Sequence, residues 1–153
     1  FHFSNKKRRT ILLKVKNLPE RVKYWGPVIF WATVIFLFSA YTTSQASEIY
    51  WQDFIVKKTA HIVEYGIFAT LLYRALINSG VNKVRAGYMA AIIASLYGVT
   101  DEFHQSFTPG REPTVRDVIF DTIGASLAIY IVWKYLPKAP KKLRKWAENW
   151  QLL

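Results

Sequence analysis

Apolar residues gather along the chain into four runs separated by short polar stretches. The first, Trp25 to Tyr41 (WGPVIFWATVIFLFSAY), carries no charge, and Pro27 falls where a first helical turn tolerates it. The second runs from about Phe54 to Ile77 and contains Lys57, Lys58, His61, Glu64 and Arg74. The third, Arg85 to about Thr100 (RAGYMAAIIASLYGVT), is rich in the small residues that let helices approach closely. The fourth, about Val118 to Leu136, holds Asp121 near its start and the small patch Gly124 to Ser126. Each approaches the roughly 20 residues that span a hydrocarbon core, and hydropathy ranks the first and third above the other two. The pattern predicts an all-α, integral membrane four-helix bundle over residues 25–136. A basic segment, 1–24, precedes it and a basic tail, 137–153, follows. In that tail Leu143, Trp146, Ala147, Trp150 and Leu153 recur at helical spacing, which predicts an amphipathic helix lying on an anionic inner leaflet.

Composition agrees with a membrane protein that has basic flanks. Hydrophobic residues make up 52% of the 153, yet the net charge is +11, an imbalance unusual for so apolar a soluble domain. Cysteine is absent, which excludes disulfides and zinc–thiolate centres. The basic region Lys6 to Lys23 resembles the start of a signal peptide, but the apolar run after it ends in YTTSQ, without a small-x-small cleavage pattern, so a retained span is expected.

Charge also sets the expected orientation. Lysine and arginine concentrate before the first span, between the second and third (Arg74, Lys83, Arg85) and after the fourth, leaving only Lys57, Lys58, Arg111 and Arg116 at the opposite ends. With four spans these three regions share one side, so the positive-inside rule places both termini in the cytoplasm. All the carboxylates except Glu20 and Glu148 fall at the outer ends, together with His61 and His104. The cations flank spans and carry no recognition motif, so no nucleic-acid partner is expected.

The polar residues follow helical spacing. Lys58, His61, Glu64 and Tyr65 step by three and four along the second segment and share a face. Glu64 lies roughly 9 Å along the axis from Lys58, below the membrane surface, where an acid must face the bundle interior. Asp101 and Gln105 are one turn apart with Glu102 and His104 beside them, and Asp117, Asp121 and Gly124 continue one face of the fourth segment. The expected result is one shared cavity open to the outside. In the connecting stretch FTPGREP, Pro109 and Gly110 suit the central positions of a type II turn. That turn would aim Arg111 to accept a carboxylate or phosphate, or simply to neutralise Asp101 or Asp117.

The stretches KTAHIVEYG (Lys58 to Gly66), YGVTDEFHQSFTPGREPTVRD (Tyr97 to Asp117) and DTIGA (Asp121 to Ala125) resemble the conserved blocks of the VanZ-like family of small multi-span bacterial membrane proteins. Two positions depart from the family pattern, Lys57 where an Asp is frequent and Asp121 where an Asn is frequent. The resemblance implies a multi-pass protein of the bacterial cytoplasmic membrane, associated with resistance to the glycopeptide teicoplanin and acting at the outer face. Three functions are weighed. The preferred one is binding without chemistry of a cell-wall precursor, lipid head group or glycopeptide by Lys58, Tyr65, His104, Gln105, Arg111, Asp117 and Asp121. The alternative is an enzyme acting on a lipid-linked envelope substrate, with His61, Glu64, Asp101 and Glu102 as acid/base groups. The third is a small proton-coupled transporter, against which stands the absence of any visible inverted repeat. No cofactor is expected. A divalent metal on His61, Glu64, Asp101 and His104 is chemically allowed but has no diagnostic spacing.

Overall fold

The computed structural model describes residues 18–40, 50–109 and 113–153, and every regular element among them is helical. Helix α1 spans Leu18–Ala40, α2 Tyr50–Asn78, α3 Lys83–Gln105 and α4 Val115–Lys134; a 3₁₀ turn at Leu136–Lys138 leads into the short α5, Lys141–Asn149. The basic segment through Lys16, and Gly110, Arg111 and Glu112 with the turn expected there, lie outside the described residues.

Among the described residues, two helices are long and apolar enough to cross a membrane, over Glu20–Ala40 and Phe54–Asn78. The apolar ranking of the sequence therefore shifts. α2 is 29 residues long, and its second half is free of charge apart from Arg74, whereas α3 begins with Lys83 and Arg85 and continues through the acidic stretch to Gln105. That continuation keeps Asp101 and Gln105 one turn apart on the helix, as their spacing predicts.

Between α2 and α3 the chain reverses in a tight connection. Gly80 has a φ of 91°, the left-handed region that glycine enters without strain, and the amides of Gly80 and Val81 cap the carbonyls of Ile77 and Leu76. Asn82 then accepts from the Val84 amide to start α3. Lys83 and Arg85 accordingly sit on α3, and Arg74, expected in this loop, lies within α2 and is buried.

The buried face of α3 is a ladder of small residues, Ala86, Ala90, Ala94 and Gly98, one turn apart, ending in Asp101 and Gln105. α4 buries Asp117, Asp121, Gly124, Ala125, Ile129 and Val132 along one stripe. Against these α2 sets its larger side chains, with Tyr65, Phe68, Ala69, Leu72, Tyr73 and Leu76 forming the core. α2 and α4 approach most closely at Gly124, where any Cβ would run into the Ile62 carbonyl, and at Gly66, where one would sit 3.3 Å from the Gly124 oxygen. α1 packs on α2 and α3 only. Trp31 Nε1 donates to the Glu64 carbonyl (3.0 Å) and Tyr97 Oη to the Ala32 carbonyl (2.8 Å).

Pro27 lies inside α1 rather than in its first turn, because the helix begins at Leu18. Having no N–H, it leaves the carbonyl four residues back, that of Lys23, unclaimed by the helix. Arg74 Nη1 donates to that oxygen at 3.5 Å. The same guanidinium donates through Nε to the Trp150 carbonyl (2.7 Å) and lies between the rings of Tyr24 and Trp150. Asn78 adds a bond to the Gln151 carbonyl (3.2 Å). The segment after α5 is thus clasped to the C-terminal end of α2, with Ala147 and Leu152 buried and Trp146 stacked on Trp150.

Candidate functional site

The close approach at Gly124 fixes what happens one and two turns further toward the start of α4. Asp121 and Asp117 there face His61 and Lys58 of α2, so the stripes that spacing placed on two separate helices interlock. Lys58 Nζ is bonded to Asp117 Oδ1, and His61 Nδ1 lies 2.9 Å from Asp121 Oδ1. The second oxygen of Asp117 is 4.0 Å from His61 Nε2. With Nδ1–H donating to the buried carboxylate, Nε2 is the ring nitrogen that faces Asp117. Gly98 of α3 makes room for the acid, since a Cβ at that position would stand 2.8 Å from Asp121 Oδ2.

α3 contributes the opposite wall. Gln105 Nε2 donates to Asp101 Oδ2 (3.0 Å) within the helix, and the Thr114 amide, at the start of α4, donates to Glu102 Oε2 (2.8 Å). α1 closes the third side with Ser39, whose hydroxyl is 3.5 Å from His104 Nδ1, while the imidazole of His104 stacks on Phe36 at 4.2 Å. Between these helices lies a cavity of about 260 Å³ lined by Ile35, Phe38, Ser39, Lys57, Lys58, Ala60, His61, Glu64, Asp101, Gln105 and Asp117.

Of the residues singled out from the sequence, Lys58, His61, Glu64, Asp101, Gln105 and Asp117 therefore share one cavity. Asp121 is fully buried behind His61, and Tyr65, equally buried, packs edge-on against Phe68 beneath it. Glu102 faces the neighbouring groove toward Thr114 and Val118, His104 packs under α1, and Arg111 lies outside the described residues. Ser39 and Lys57 line the cavity without having been expected as site residues. Ser39 is the one polar residue near the C-terminal end of the first apolar run, which is the signal that was available. Phe54 was missed as well; the cations of Lys58 and Arg116 lie over its ring at 5.6 and 5.1 Å.

Among the described residues, four buried polar atoms here have no hydrogen-bond partner: Tyr65 Oη, Asp101 Oδ1, Glu102 Oε1 and Asp121 Oδ2. Buried polar groups are almost always satisfied, so such a concentration marks a place arranged for something other than packing. Among the described residues, His61, Glu102 and Asp117 offer one ligand atom each, all within 4.8 Å of one another, a set that could hold a metal ion. Glu64, Asp101 and His104, the partners proposed for His61 from the sequence, are not in that set.

Comparison with curated proteins and with solved structures returns no match. The family model described as VanZ/LLP1, in contrast, matches residues 24–136, from the early turns of α1 to the turn that follows α4, and the chain belongs to that family.

Proposed function

We propose that this VanZ/LLP1 family protein crosses the bacterial cytoplasmic membrane four times with both termini inside, and that its polar cavity binds the charged head group of an envelope molecule at the outer face. Support for the membrane setting comes from the inside-out character of the long helices. Acids and small residues lie in their interior alongside the apolar core, while Ile29, Phe30, Leu37, Ile92, Leu96, Ile119, Ile123 and Leu127 are exposed. An apolar exterior of that extent suits lipid rather than water. The amphipathic α5, with Trp146 and Trp150 on one side and lysines on the other, suits the inner interface.

The observation that carries binding is that α1, α2, α3 and α4 all line a single cavity holding both signs of charge, Lys57 and Lys58 beside Glu64, Asp101 and Asp117. Such a cavity matches a ligand that presents an anionic group and hydrogen-bond donors together. A lipid-linked cell-wall precursor, an envelope lipid head group and a glycopeptide all have that chemistry, and the teicoplanin association implied by the family resemblance fits each. The test is tolerance to teicoplanin in cells producing Glu64→Ala, Asp101→Ala or Lys58→Ala protein at normal membrane levels. Unchanged tolerance in all three removes the cavity from the function.

A second reading, acid/base catalysis, is favoured by the His61–Asp121 pair, since a carboxylate-anchored imidazole next to a cavity is an arrangement able to move a proton. Mass spectrometry of envelope lipids and wall precursors, with and without the protein, separates the two. A covalent change in either pool requires chemistry.

A further inference from the structure

Among the described residues, the cavity and the groove beside it hold more acids than bases. Asp101, Glu102, Asp117 and Asp121 are each at least nine-tenths buried. Against them, among the described residues, stand Lys58 on Asp117, His61 on Asp121 and Lys57 at the cavity wall. An anionic head group entering there meets repulsion unless a further positive charge is present, and a set of buried acids calls for a counter-charge in any case.

The geometry points to a divalent cation held by His61 Nε2, Asp117 Oδ2 and Glu102. Three observations converge on that position. First, these side chains each bring a ligand atom within 4.8 Å of the others, from α2, α3 and α4. Second, Glu102 keeps one oxygen, Oε1, buried and unpartnered while its other oxygen is tied to the Thr114 amide, so the carboxylate is oriented yet has an acceptor to spare. Third, Asp121 grips His61 through Nδ1, which turns the free nitrogen toward Asp117; a carboxylate behind an imidazole is the support that metal-binding histidines ordinarily have. His61 Nε2 and Asp117 Oδ2 face each other across 4.0 Å, so with Nε2 deprotonated both can ligate one cation.

An imidazole with two carboxylates suits a first-row ion such as Zn²⁺ better than Mg²⁺ or Ca²⁺, which prefer all-oxygen sites. Three protein ligands would leave a coordination position open toward the cavity. There the ion would take a phosphate or carboxylate oxygen of the head group, a role that rests on the binding function proposed above; the ion site itself does not.

The experiment uses the full chain in detergent or nanodiscs, stripped with chelator and titrated with Zn²⁺ alone. One ion per chain is expected, and Co²⁺ in its place should show the visible bands of mixed nitrogen and oxygen coordination. His61→Gln, Glu102→Gln and Asp117→Asn should each weaken Zn²⁺ about 10-fold or more, while the exposed Glu148→Gln leaves it unchanged. Lys58→Met removes the ammonium that competes for Asp117 and should tighten Zn²⁺, a gain that a misfolded chain cannot show. No stoichiometric Zn²⁺, Zn²⁺ retained undiminished by all three ligand variants, or weaker Zn²⁺ in Lys58→Met each overturns the site. If Zn²⁺ is refused while the cavity variants still abolish tolerance, the ion falls and the binding function stands. If Zn²⁺ binds but those variants leave tolerance intact, the binding function falls instead.

Discussion

His61 and Asp121 meet at 2.9 Å across α2 and α4, with the acid wholly buried and the imidazole at the edge of the cavity. The hydrogen bond needs an acceptor on residue 121, but not a charge. Asp121→Asn should therefore leave the fold within about 1 kcal/mol of the parent, because the amide oxygen still accepts from Nδ1. Asp121→Leu strands a buried donor and should cost about 1–3 kcal/mol. Thermal unfolding in detergent reads both; equal losses for Asn and Leu would show that the charge itself holds the pair.

Gly124 sets the spacing on which that pair depends. A methyl group there would overlap the Ile62 carbonyl, so Gly124→Ala should separate α2 from α4 and destabilise by about 1–3 kcal/mol. Gly26→Ala is the contrast, because nothing stands within 4 Å of its Cβ, and a helical alanine there should stabilise by up to about 1 kcal/mol. A Gly124→Ala protein as stable as the parent would mean that the interface relaxes without loss.

How much of this was legible beforehand follows the range of each signal. The steps Lys58–His61 and Asp117–Asp121 are local, so helix periodicity placed each pair on a face and the outer cluster could be anticipated. Which of those faces meet is decided by glycine contacts between helices. Gly66, Gly98 and Gly124 look alike in sequence, yet Gly98 admits a carboxylate and Gly124 a backbone oxygen. The charge on Arg74 was legible and its place was not. As a cation between two spans it resembles a loop residue, and only its partners, the carbonyls of Lys23 and Trp150, reveal why the chain buries it.

Those partners give a prediction for the inner end. Arg74→Lys keeps the charge but loses the planar fork that serves two carbonyls and two aromatic rings at once. The segment after α5 should then open more often. Losing a charged hydrogen bond of about 1.5–3 kcal/mol corresponds to roughly a tenfold or greater rise in local opening. Tryptic cleavage within Lys141–Lys145 of the solubilised protein should accelerate accordingly, while cleavage elsewhere stays constant. A rate matching the parent would show that Ala147 and Leu152 dock this segment without help from Arg74.

The four-span arrangement predicts a sidedness that can be read residue by residue. Lysine and arginine gather before α1, around the α2–α3 turn and after α4, while the acids of the cavity lie at the other ends of the same helices. Adjacent helices joined by a tight turn such as that at Gly80 must run antiparallel, so α2 and α3 return to one side together. A cysteine replacing Arg111, in the connection between α3 and α4, should react with a membrane-impermeant maleimide on intact cells. A cysteine replacing Arg144, which is half exposed on α5, should react only after the membrane is opened. The parent chain has no cysteine, so the background is nil. Labelling of both positions from the same side would break the link between charge and orientation, and the cavity would then no longer open at the outer face.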